Sequence, residues 1–270
     1  ADIQDGPNIA SDTIRLIEAS LDAARPDLVV LTGNQIAGYD PAFADTFRKR
    51  HWGEQSSAGD AKHSALDDTR AKVRALMMQL LEPMVSRGVP FAVTYGNHDF
   101  QCGLSNAELD AIYREFPGCL NPAPGAGSYG DSAMLPDQEV FAYGPGTFAL
   151  PVQDVDHARN VIGLVIFDSG DYARGGGFAA PDAGMLAFLR DAPGLMDADA
   201  MVFQHMPLPE YYKLLKPVPE TTAFAMQGYR AHAGTYYVLD ESKVQPGGYL
   251  GEGVSYSDQS GEFAALRNHK

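Results

Sequence analysis

Cysteine, tryptophan, positive charge and long apolar runs are all scarce in this chain, and each scarcity excludes something. Only Cys102 and Cys119 occur among its 270 residues. Neither stands in a C-x-x-C or Cys/His zinc pattern, which argues against a thiolate site. One disulfide across a loop and two unrelated thiols are both open, so the cysteines do not reveal the redox compartment. No apolar run approaches the roughly 18–20 residues that a membrane-spanning helix needs, so nothing here reads as a membrane protein. Basic residues number 20 against 35 acidic ones, a net charge of -15. That balance, with no Lys/Arg cluster evident, opposes a nucleic-acid backbone as partner. A phosphorylated substrate is still allowed, because divalent cations reverse the field locally. The chain opens at Ala1 without an initiator Met, a basic n-region or an apolar h-region. It is expected to be cut at both ends, and cytoplasmic and exported locations are not separated.

What is present is ordinary for a globular fold: 45% apolar and 20% charged residues, enough for one large domain over 1–270. Short apolar runs alternate with segments of helical period, which argues for α/β layers. Strands are expected at 27–33, 89–95, 160–167 and 200–204, each bounded by turn residues. Helices are expected at 11–24 with Ser11 as cap, at 65–87 with an apolar stripe from Val73 to Val85 and Gly88 as stop, at 106–116 and at 181–190. The polar stretches 49–62, 117–136 and 217–253 read as loops.

Several of those strands end in a residue able to hold a metal. The first runs into Gly33-Asn34, the second into Gly96-Asn97-His98-Asp99, and the 200–204 run into His205. Asp2 and Gln4 complete the set if a strand precedes them. In open α/β sheets, ligands bind beyond the carboxyl ends of strands, so these residues are expected to converge. Amide oxygens, a carboxylate and an imidazole suit Mn, Fe, Zn or Mg. Two such ions about 3.5–4 Å apart can hold a phosphate for in-line attack. His98 would protonate the leaving oxygen, with Asp99 fixing its tautomer and raising its pKa. Asp5 reads as a residue of the helix approach, Asp168 to Asp171 as a loop near the site, His51, His63 and His157 as solvated, and Tyr172, Tyr211 and Tyr212 as candidates for a cleft wall.

The Gly-Asn-His-Asp tetrad at 96–99 resembles the third block of the calcineurin-like metallophosphoesterases. Leu31-Thr32-Gly33-Asn34 resembles the second block, which normally reads Gly-Asp, and the segment from Phe203 to Tyr211 resembles the His-bearing fourth. The Pro-Leu-Pro-Glu-Tyr tail at 207–211 and the pattern from Gly144 to Val152 are similar to the bacterial and fungal phosphatases of the Dcr type. The resemblance covers almost the whole chain. It implies a four-layer α/β/β/α sandwich of two mixed sheets, two bound metal ions, and hydrolysis of a phosphate ester by a metal-bridging hydroxide. Asp2 and Gln4 fall at the first-metal positions, Asn34 at the bridging position, and Asn97 and His205 at the second metal. His98 falls on the proton donor. A phosphoprotein or a small phosphomonoester is the implied substrate.

Three departures qualify what is implied. Gln4 stands where the family has His, and an amide oxygen can still ligate. Asn34 stands where a carboxylate bridges two cations, and a neutral amide is a poorer bridge. The family's closing Gly-His-x-His block has no match after His205; neither His232 nor His269 fits it, and the chain is expected to stop short of that block. A binding module that keeps the fold with impaired catalysis is therefore the alternative. A nuclease of the same superfamily is opposed by the acidic charge.

Overall fold

The computed structural model describes residues 3–52, 60–124, 139–248, 250, 255–258 and 260–267. Asp2, His269 and parts of the three expected loops lie outside them.

Helix α1 (Ser11–Ala24) starts after Ala10, which has no capping side chain. Ser11 is thus the first helical residue, not its cap. Thr13 Oγ1 instead donates to Asp5 Oδ2 at 2.8 Å and pins the helix approach. Strand β1 (Val29–Thr32) follows, then α2 (Asp60–Val85) and β2 (Phe91–Thr94). The stretch 60–62, expected as loop, already belongs to α2. The apolar stripe of α2 is core as its period requires: Val73, Leu76, Met77, Leu80 and Leu81 are fully buried. Each such side chain contributes on the order of 2 kcal/mol relative to exposure.

Strands β1 and β2 pair in parallel, with Val29 opposite Phe91 and Thr32 opposite Thr94. Side chains alternate across them. Phe91 and Val93 pack with Leu31 against α1 and α2, while Ala92 and Val30 face a second sheet. Asn121 acts as one more rung beside β2, accepting from Val93 N and donating to Val93 O, both at 2.9 Å.

After α3 (Asn106–Tyr113), closed by a capping box of Ser105 and Glu108, the chain builds the second sheet. Its strands β3 (Phe141–Gly144), β4 (Thr147–Gln153), β5 (Asn160–Phe167) and β6 (Ala200–Gln204) lie in that order. The first two pairings are antiparallel and β5–β6 is parallel, with α4 (Ala183–Met196) as the crossover. Phe148, Leu150 and Ile166 meet the first sheet; Ala149, Val165 and Phe167 meet Leu189, Ala192 and Met196 of α4. Two helical layers thus enclose two facing sheets, the expected α/β/β/α sandwich. One correction applies. The second sheet is mixed, whereas the first holds two parallel strands among the described residues.

The segment expected as loop at 217–253 is the larger correction. It contributes most of a three-stranded antiparallel sheet, β7 (Leu215–Val218), β8 (Met226–Gln227) and β9 (Tyr236–Leu239), in the order β7-β9-β8. Pro217 is tolerated because β7 is an edge. Tyr212, Tyr229, Tyr237 and Tyr256 pack beneath this sheet, so Tyr212 belongs to a core and not to a cleft wall. Both cysteines are free, and burial pushes each thiol up to about 12.

The short helix α5 (Glu262–Arg267) packs on α4 and carries a buried acid. Glu262 is 2% exposed; burial, with Glu210 opposing its charge, raises its pKa from the usual 4.5 to about 7. A carboxyl with a raised folded-state pKa contributes its stability below the unfolded pKa and loses it as pH rises through the folded one. Between pH 5 and pH 8 the protein is therefore expected to lose up to about 3 kcal/mol through this group. Glu262→Gln should flatten that slope in urea unfolding. Equal slopes for both proteins would show that Glu262 ionises normally.

Candidate functional site

The parallel register of β1 and β2 sets two turns side by side, Gly33-Asn34 after β1 and Gly96-Asn97-His98 after β2. Both require glycine for close approach. Gly33 has φ 102°, and a Cβ there would sit 2.6 Å from Gly96 N and 2.8 Å from His205 Nδ1. A Cβ on Gly96 would meet Asn34 Oδ1 at 2.3 Å. Asn34 itself is left-handed, φ 54°, a conformation asparagine adopts more readily than most residues.

Asp99 holds the two turns together. Its Oδ2 accepts from Asn34 N and Gly96 N, each at 2.7 Å, and its Oδ1 from Ile36 N at 3.0 Å. The side chain is fully buried; burial raises its pKa, and the three N–H groups and His205 work against that rise. Its expected role on His98 is corrected, because both oxygens are committed to backbone. Gln101 takes that role, with Oε1 2.8 Å from His98 Nδ1. The two residues lie one 3-10 turn apart, in the stretch Asp99–Cys102 just after His98, and so share a face.

Asn34, Asn97, His98 and His205 are brought together. Asn34 Oδ1 accepts from His98 N at 2.9 Å, and Asn34 Nδ2 donates to Asn97 Oδ1 at 3.3 Å. Asn97 Nδ2 donates to Tyr172 Oη at 2.8 Å. His205 Nδ1 lies 3.0 Å from the Thr32 carbonyl, which can only accept, so Nδ1 carries the proton. In the neutral ring, His205 Nε2 is then a lone pair 3.2 Å from Asn97 Oδ1, another acceptor. Two acceptors at this separation suit neighbouring ligands of one cation.

Asn34 does not extend that set. Its oxygen serves the His98 N–H and its NH₂ faces Asn97; exchanging them would set donor against donor at His98. Among the described residues no group of three or more His, Cys, Asp or Glu could hold a metal ion. Asn97 and His205 thus offer two adjacent acceptors, and Asn34 brings no carboxylate beside them. Gln4 enters through its backbone, donating from N to Asn34 O at 2.9 Å, with φ 50°. Asp2 lies outside the described residues.

The surrounding wall comes mostly from segments that read as loop. Tyr39 meets the His98 ring edge-on at 5.0 Å between centroids, and Tyr172 at 6.5 Å. His51 is not simply solvated: it stacks on Phe100 at 3.9 Å and pairs with Asp171. Asp168 accepts from Asn106 Nδ2 at 2.8 Å and Gly170 N at 3.0 Å, and burial pushes it up to about 6. Of these wall and support residues, Gln101 was accessible to sequence reasoning through its three-residue spacing from His98. Nothing in sequence marked Tyr39.

No family model matches the chain. It is 27% identical over 142 residues to an uncharacterized protein of Schizosaccharomyces pombe, covering 53% of this chain and 21% of that protein. It is also 27% identical over 168 residues to the probable inactive purple acid phosphatase 28 of Arabidopsis thaliana, covering 59% of this chain and 33% of that protein. The aligned parts span about a fifth and a third of these relatives' length. The second similarity is distant, and it points toward the metallophosphoesterase superfamily.

Proposed function

We propose that the chain is a metallophosphoesterase-type domain whose site acts on phosphate esters, with His98 protonating the leaving oxygen. The observation that carries this reading is the convergence of Asn97 Oδ1 and His205 Nε2, 3.2 Å apart, beside a histidine held by its own partner. The distant similarity to a purple acid phosphatase-like protein supports it. The Pro207–Tyr211 tail supports the Dcr-type subgroup.

A cation at Asn97 and His205 would supply Lewis-acid polarisation of a phosphoryl oxygen. Mn, Fe, Zn and Mg all suit an imidazole and amide-oxygen set. The chain's own residues do the rest. Gln101 Oε1 accepts a hydrogen bond from His98 Nδ1–H, so Nε2 delivers a proton to the leaving oxygen only from the doubly protonated ring. Tyr172 fixes the Asn97 amide so that its oxygen turns toward His205. Tyr39 and Tyr172 flank the His98 ring and narrow the approach of water. A small phosphomonoester or a phosphoprotein can present the reacting phosphate.

The test is Mn-dependent hydrolysis of 4-nitrophenyl phosphate by the chain as it stands. His98→Asn is expected to lower kcat about 100-fold or more for an alkyl phosphate, and less for the nitrophenyl ester, whose leaving group needs no proton. Equal losses on both esters would remove His98 from the role of proton donor. A second reading, a binding module on the same fold, is favoured by the Asn34 amide facing Asn97. It holds if the chain binds phosphate without turning the ester over.

A further inference from the structure

In this acidic chain several arginines have a carboxylate: Arg70 pairs with Glu108, Arg74 with Glu115, Arg87 with Asp22, Arg114 with Asp110 and Arg230 with Asp258. Four cations beside the candidate site have none among the described residues. Arg48, Lys49 and Arg50 are consecutive, and Arg174 approaches the same wall from the loop after Tyr172. The expectation that Lys/Arg clusters are lacking is thereby corrected.

The placement of the four is built. The Arg50 guanidinium lies 3.7 Å above the centre of the Tyr172 ring, whose hydroxyl accepts from Asn97. Arg174 faces Trp52 at 5.8 Å. Arg48 N donates to Gln101 O at 3.0 Å, and Gln101 Nε2 donates to Lys49 O at 3.3 Å. The residue that orients His98 thus also clasps the basic loop. Arg48 Nε is buried with no hydrogen-bond partner. Of the two carboxylates on this wall, Asp171 is engaged by His51, and Asp168 by Asn106 and Gly170 N.

Guanidinium groups with no carboxylate among the described residues, in a protein of charge -15 and set on aromatic faces near a proton donor, are suited to an anion with paired oxygens. We infer that Arg50 and Arg174, with Lys49, form a subsite for a second phosphate of the substrate, on the leaving-group side of His98. The preferred substrate class is a small bisphosphorylated ester. This rests on the phosphate-ester reading for the first phosphate alone.

Trp52 is the single tryptophan and reports on the subsite. In EDTA-containing buffer, inorganic phosphate and pyrophosphate are titrated against tryptophan fluorescence. Pyrophosphate is expected to bind at least about 10-fold more tightly, with affinity falling as salt rises. Arg50→Gln and Arg174→Gln should each weaken pyrophosphate about 5- to 10-fold and phosphate by less. Equal affinities, no binding, indifference to both substitutions, or preference for a single-stranded oligonucleotide would overturn the inference. Because this assay needs no metal and reads no turnover, failed hydrolysis leaves it standing. Hydrolysis without a pyrophosphate preference would instead defeat the subsite alone.

Discussion

Asn34→Asp is expected to raise Mn-dependent phosphate-ester hydrolysis by at least about 100-fold, since even losing a group that merely orients a metal ligand costs 10- to 100-fold. Aspartate is the same shape and tolerates the left-handed backbone at φ 54°. One of its oxygens can keep the His98 N–H that Asn34 Oδ1 now accepts at 2.9 Å. The other replaces an NH₂ that faces Asn97 Oδ1. A donor turned toward the cation position becomes an acceptor with a negative charge. Stability should register the same exchange without any turnover. In metal-free buffer the new carboxylate faces the Asn97 oxygen without a donor between them, so the variant should unfold more easily than the parent. Manganese at about 100 times its Kd should then return about 2.7 kcal/mol. Thermal unfolding with and without Mn, beside steady-state hydrolysis, checks both. Unchanged rate and unchanged metal dependence would mean that the amide is not what limits this site.

Asp99→Ala is expected to cost roughly 3–5 kcal/mol, because each buried N–H left without an acceptor costs about 1–3 kcal/mol and some relief comes from entering water. The orphans would be the N–H groups of Asn34, Ile36 and Gly96, which Asp99 now satisfies at 2.7–3.0 Å. Asp99→Asn should cost about half as much, since one carbonyl oxygen remains while the NH₂ meets another donor. Urea unfolding measures both. A chemical role for Asp99 on His98 gives the opposite pattern: near-parental stability in Asp99→Asn with a displaced pH–rate profile.

The legible parts of this molecule are those where local pattern and tertiary environment agree. Strands β1, β2, β5 and β6 are short apolar runs stopped by Gly, Asn, Asp or His, and buried strands read that way. The α2 stripe is legible because one face of a long helix meets the core. Asn34, Asn97 and His98 converge because β1 and β2 pair in parallel, and His205 joins them from the end of β6 in the facing sheet. The sheet of β7, β8 and β9 is not legible because its strands have two to four residues, with Pro217 in β7 and Gly228 and Gly234 between β8 and β9. Its burial comes mainly from tyrosines, joined by Leu215 and Leu239, instead of a long alternating apolar run. The role of Asp99 escaped for another reason. Two of its three partners, Asn34 N and Ile36 N, are backbone groups more than 60 residues away in sequence, which no side-chain pattern announces. The basic run at 48–50 borders a stretch that reads as loop, and what holds it, Tyr172 and Gln101, lies far away in sequence.

The most direct test of the account is where manganese sits. Crystals of the chain, soaked in MnCl₂ and measured at the manganese edge, should show an anomalous peak within about 2–2.5 Å of both Asn97 Oδ1 and His205 Nε2. No peak there, or manganese at exposed carboxylates alone, would contradict the assignment of this sheet edge as a metallophosphoesterase-type centre.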